Sequence, residues 1–189
     1  MTMVLTQLLD ALEACHGEQS APWPADPYLF LVWLHCGYPA SELNCAKGWA
    51  SLLGAVGVDA ESIQKANPAK LAAALKPGGI IPDLRAQRLQ EIAGRVLNQY
   101  GGDLLGGLKG LPVAQARSAL KQFPGIADPG ADRILLFARI AAAAAVPSNC
   151  PYVLVRVQAG QEGGNYGRTY REAQQWIEDG LPREFDSRI

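Results

Sequence analysis

The sequence predicts an all-α fold. Apolar residues recur at spacings of three and four along most of the chain, the period of a helix buried on one face. The periodic segments are short and separated by turns rich in proline and glycine. No strand-like segment has an obvious partner, and no internal repeat or low-complexity tract breaks the pattern.

Val4, Leu5, Leu8, Leu9 and Leu12 form the first apolar stripe. HGEQSAPWPADP follows, and its three prolines make it a loop. Tyr28 to His35 is apolar nearly all round and reads as a buried helix. Ala46 to Val56 is the next helix, closed by Gly57. Asp59 caps a short helix through Gln64, and Asn67-Pro68 opens another that runs to Leu75. Pro82 to Tyr100 is long and amphipathic, with Leu84, Leu89, Ile92, Val96 and Leu97 on one side. Gly101-Gly102 ends it. Leu104 to Leu108 is a short turn of helix, and Pro112 to Gln122 is a further helix. The next is expected from Pro129 to Ala145, with Asp128 as its cap and Pro147 as its stop. Tyr152 to Val157 fits either a strand or a helix start. Tyr170 to Asp179 is the last helix, with Trp176 and Ile177 facing the core.

The chain has 189 residues, of which 49% are apolar, enough for a sizeable core and against global disorder. No run reaches the ~18 apolar residues of a membrane span. The N-terminus lacks the basic start and cleavage site of a signal peptide, so cytoplasm is the expected location. Cys15, Cys36, Cys45 and Cys150 are scattered and form no CxxC pair, so they read as reduced thiols and not as a metal site. His16 and His35 read as surface or boundary residues. The net charge is −1, but every arginine lies after Leu75. Arg makes forked contacts with phosphate that Lys cannot.

LPVAQARSALKQFPGIADPGADRILLFA, Leu111 to Ala138, has the pattern of a helix-hairpin-helix, with the whole motif expected over residues 112–145. Pro124-Gly125-Ile126-Ala127 is a tight turn nearly bare of side chains, where backbone N–H groups reach a phosphate closely. Ile126 is expected to tuck inward. An ordinary helix–helix turn also favours Pro and Gly, so this segment alone leaves both readings open.

The order of several segments resembles the endonuclease III-like DNA glycosylases, the helix-hairpin-helix superfamily with a Gly/Pro-rich loop and a downstream aspartate. RAQRLQEIAGRVLNQYGGDL resembles the family's helix before the hairpin, and FPGIADPGADRILLFA the hairpin itself. VPSNCPYVLVRV and NYGRTYREAQQ resemble the segments that follow, so the resemblance covers about Pro27 to Phe185. It implies a two-lobed helical bundle, one lobe over residues 27–145 and the other over 1–26 plus 146–189. It further implies double-stranded DNA as partner, damaged or distorted, with one nucleotide flipped out of the stack. The DNA contact would come from the backbone of Pro124, Gly125, Ile126, Ala127 and Gly130, with Arg133 reaching a phosphate. Pro129, Pro147, Ser148 and Asn149 would line the cleft.

Breaking an N-glycosidic bond needs a carboxylate near the developing oxocarbenium ion. The resemblance places the family's aspartate at Pro147 and its Schiff-base lysine at Pro129. Proline supplies neither charge nor proton. Asp128 and Asp132 are the remaining candidate acids, although capping explains Asp128 as well, and the helix dipole or a neighbouring Arg explains Asp132. Many relatives carry a four-cysteine loop that holds a 4Fe-4S cluster. It would begin where this sequence ends at LPREFDSRI, so no cofactor is expected in these residues. Three functions fit: a glycosylase-like repair protein with weak or absent base excision, a non-enzymatic module for distorted DNA, or a helical protein-interaction domain.

Overall fold

The computed structural model describes residues 5–39, 41–146, 152–153 and 165–180. Among these residues it contains ten α-helices, one turn of 3₁₀ helix (Lys76–Gly78) and no β-strand. The helices are α1 (Leu5–His16), α2 (Pro27–Cys36), α3 (Glu42–Ala55), α4 (Ala60–Lys65), α5 (Pro68–Leu75), α6 (Pro82–Tyr100), α7 (Leu104–Lys109), α8 (Val113–Leu120), α9 (Asp128–Phe137) and α10 (Tyr166–Gly180). None is long and apolar enough to cross a membrane.

Several helix starts follow from local chemistry. The carboxylates of Asp26, Asp59 and Asp103 accept from the backbone N–H groups of Leu29, Ser62 and Gly106, and thereby start α2, α4 and α7. The Asn67 amide oxygen accepts from Ala69 and Lys70 to start α5. Ser41 caps α3 in the same way, so that helix begins four residues before the expected Ala46.

The chain divides into two compact units, Ala21–Gly125 and Met1–Ser20 with Ile126–Ile189. The division falls between Gly125 and Ile126 and groups α9 with the terminal segments. In the first unit, α2, α3, α5 and α6 surround a core that includes Phe30, Leu31, Leu52, Leu71, Leu75, Leu89 and Ile92, all fully buried. α4 packs on α6. Tyr38 and Gly79 form an isolated parallel bridge, with Tyr38 N–H donating to Gly78 O and Gly79 flanked by Ile80 N–H donating to Tyr38 O. Gly79 has φ 123° and a Cβ there would overlap the Tyr38 carbonyl, so only glycine permits the bridge.

In the second unit, Leu5, Leu9, Ala144, Val146, Tyr170, Ala173 and Ile177 make one core cluster, with Trp176 packed against it. Leu12, expected on the buried stripe of α1, is exposed. The expected helix to Ala145 is also corrected: α9 stops at Phe137. Arg139 takes φ 53° there. Its N–H donates to Leu136 O and that of Ile140 to Leu135 O, the two bonds of a Schellman stop. Beyond it Ala143, Ala144, Ala145 and Val146 are buried without being helical, so packing overrides alanine's helix propensity.

Candidate nucleic-acid interface

The hairpin runs from the end of α8 to the start of α9. Phe123 N–H donates back to Leu120 O and closes α8. Arg95 of α6 holds this end through Nη1–H···O=C of Gln122 at 2.6 Å while pairing with Glu91. Gly125 then turns the chain at φ 76°. Ala127 occupies the cap position of α9, with no side-chain cap bond. Asp128 is therefore the first residue of α9 and not its cap, and Pro129 follows it. Ala127 and Asp128 are exposed, whereas Ile126 is buried and touches the Gly130 position, as a residue that anchors the turn must.

Four backbone donors in this turn, the N–H groups of Gly125, Ile126, Ala127 and Gly130, meet no acceptor among the described residues. A helix start with free N–H groups favours an anion through both hydrogen bonding and the helix dipole. Arg133 lies farther along α9, half-buried and engaged by neighbouring groups. Asp132 is fully buried and accepts from Gln174 Nε2 of α10 at 3.1 Å, which ties two helices of its unit together. Pro147, Ser148 and Asn149 lie outside the described residues.

The support beneath Pro124 and Gly125 was not legible as a site. His35 is buried at 6% exposure, which corrects the surface or boundary reading. Its Nδ1 lies 2.8 Å from Leu31 O and its Nε2 lies 2.8 Å from Pro124 O. A Cβ built on Gly125 would sit 3.2 Å from His35 Nε2 and 3.3 Å from Arg88 Nη1. Arg88 of α6 is half-buried, and its guanidinium makes no hydrogen bond or ion pair among the described residues. Burial holds the His35 imidazole below its ordinary pKa, with Arg88 and Arg85 adding to the effect and the two carbonyls opposing it.

Arg85 fixes the frame around this support. It is 2% exposed and donates to Cys36 O (2.6 Å), Leu75 O (2.8 Å), Gly79 O (2.9 Å) and Ile80 O (3.0 Å). Cys36 and Leu75 end α2 and α5, where helix dipoles present negative charge to the cation. The carbonyls thus stand in for a carboxylate. Just outside this frame Tyr38, Ile80 and Ile81 expose apolar side chains. Ile81 adopts φ 51°, a costly conformation for a β-branched residue, and its carbonyl accepts from Arg85 N–H at 3.1 Å. The two isoleucines ahead of Pro82 were the only hint in sequence.

No group of three or more His, Cys, Asp or Glu residues is placed to hold a metal ion among the described residues. Cys15 is exposed, Cys36 and Cys45 are buried, and none of the three is in a disulfide. Burial pushes the Cys36 thiol well above its ordinary pKa.

This arrangement of helices is an endonuclease III-like fold, shared with DNA glycosylases of several kinds. A trapped endonuclease III–DNA covalent intermediate matches at a TM-score of 0.74 and 16% identity, over 96% of this chain and 81% of that one. The H. pylori 3-methyladenine DNA glycosylase bound to 1,N6-ethenoadenine matches at 0.71 and 19%, over 95% and 84%. A thermostable thymine-DNA glycosylase matches at 0.69 and 21%, over 94% and 78%. No protein-family model matches the sequence, and no curated protein matches it.

Proposed function

We propose that this protein binds double-stranded DNA in a base-excision-repair setting and carries weak or no N-glycosylase activity. The observation that carries the reading is a set of four N–H groups, at Gly125, Ile126, Ala127 and Gly130, that meet no acceptor among the described residues, on a fold shared with DNA glycosylases. Backbone N–H groups of this kind donate to a DNA phosphate without any base-specific contact. Arg88, beside Gly125, adds a fixed positive charge. Tyr38, Ile80 and Ile81 suit entry into an opened base step, as apolar wedges do in proteins that kink or unstack DNA. Damaged or distorted DNA opens at lower cost and is therefore the favoured partner.

Catalysis lacks an obvious acid. Pro147 and Pro129 stand where the resemblance calls for aspartate and lysine. Asp132 is buried and bonded, and Asp128 sits exposed on the first turn of α9. A non-enzymatic module for distorted DNA uses the same hairpin and differs only here.

Fluorescence anisotropy with a duplex carrying an abasic-site analogue, set against the same duplex undamaged, tests the binding. Tighter and salt-sensitive binding to the damaged duplex is the expected result. A base-release assay on wild type and Asp128→Asn then separates residual catalysis from pure binding. Absence of binding at low salt would favour a protein-interaction domain instead.

A further inference from the structure

His35 is placed so that its neutral form cannot satisfy its surroundings. Both ring nitrogens face carbonyl oxygens, Leu31 O within α2 and Pro124 O in the hairpin, each at 2.8 Å. A neutral imidazole has one N–H donor and one lone-pair acceptor. One of the two contacts is then a hydrogen bond, and the other sets a nitrogen lone pair against an oxygen. Only the imidazolium donates to both.

We infer that His35 is a proton-linked positioning residue, which takes up a proton when the hairpin receives a DNA phosphate and then clamps Pro124 to α2. The inference rests on the DNA-binding reading above and goes beyond it, because it assigns to DNA binding a pH dependence carried by one side chain.

The surroundings set the direction. From α6, Arg88 and Arg85 face the ring and disfavour its charge. Glu42, Lys47 and Lys109, the charged residues of α3 and α7, which also pack on α2, are exposed, and Cys45 of α3 is a buried thiol. Cys36, next on α2, keeps its proton because burial raises its pKa. In the free protein the ring is therefore held neutral near pH 7. A phosphate beside Gly125 and Arg88 offsets the cationic field, so proton binding and DNA binding favour each other. A rise of about one pKa unit on binding corresponds to about tenfold in affinity.

The experiment follows the imidazole NMR signals of wild-type protein from about pH 8 to about pH 5, the histidine range, free and with a short duplex. Duplex affinity is measured over the same range for wild type, His35→Asn and His16→Asn. Asparagine keeps a donor but does not titrate. The expected result is a higher His35 midpoint in the complex and about three- to tenfold tighter binding at the acid end. His35→Asn loses that gain and His16→Asn keeps it. An unchanged His35 midpoint on a duplex that does bind overturns the inference and leaves the DNA reading intact. The wild-type titration decides this even if His35→Asn fails to fold. Failure of wild type to bind the duplex at low salt at any pH overturns both.

Discussion

His35 Nε2 and the carbonyl oxygen of Pro124, 89 residues apart in sequence, lie 2.8 Å from each other. The contact joins the C-terminal turn of α2 to the hairpin, so the turn is held from beneath by a side chain of a distant helix. Its pH behaviour in the free protein has a definite sign. Burial keeps the folded-state pKa of His35 below the ordinary value near 6.5. Below that value the unfolded chain binds a proton that the folded chain refuses, so this contribution to stability falls as pH drops from about 7 toward the lowered folded pKa. Urea unfolding at several pH values should show a steeper acid loss in wild type than in His35→Asn. Equal slopes would place the ring's proton uptake elsewhere.

Gly125→Val should weaken duplex binding. The residue takes φ 76°, and a Cβ would press on His35 and Arg88. The left-handed conformation alone costs about 1–2 kcal/mol, which corresponds to about tenfold in affinity if the turn relaxes in the free protein. Anisotropy with the damaged duplex measures it, and unchanged affinity would remove Gly125 from the contact.

Arg88→Gln should leave stability within about 1 kcal/mol, because the guanidinium has no hydrogen-bond partner to lose among the described residues. The slope of log affinity against log salt should fall by about 1, the signature of one lost phosphate contact. A parallel salt profile would show that Arg88 does not meet the backbone.

Arg85→Met should destabilise the protein by about 3 kcal/mol or more. Four carbonyl oxygens lose their donor, and each unsatisfied buried acceptor costs about 1–3 kcal/mol. Denaturant unfolding gives the value. A loss below about 1 kcal/mol would mean that water replaces the guanidinium.

Arg139→Gly should stabilise by about 0.5–1 kcal/mol, because glycine removes the Cβ penalty at φ 53° in the stop after α9. Destabilisation would indicate that the arginine side chain contributes contacts that outweigh the backbone strain. A rise in thermal midpoint is the expected readout.

Local chemistry made much of this fold legible. Asn67-Pro68 and Pro82 start α5 and α6 where the sequence places them, because caps and proline act within one turn of chain. The reading failed where tertiary packing decides. Ala141 to Ala145 looks helical, yet the Schellman stop at Arg139 and burial of most of the following alanines leave it outside the helix. A turn between α8 and α9 was readable from Pro124 and Gly125, and Gly125 takes the positive φ that glycine tolerates. Its support was not, since His35, Arg88 and Arg85 meet it only through long-range folding. A buried histidine and an exposed one look alike in a single sequence.

In the proposed function a DNA phosphate is held by the amides of Gly125, Ile126, Ala127 and Gly130, which meet no acceptor among the described residues. The most direct measurement is the change in backbone amide NMR signals of isotope-labelled protein as a short damaged duplex is added. The account predicts the largest, salt-sensitive shifts at Gly125, Ile126, Ala127 and Gly130. Binding with those four signals unmoved, or no shifts at low salt, would contradict it.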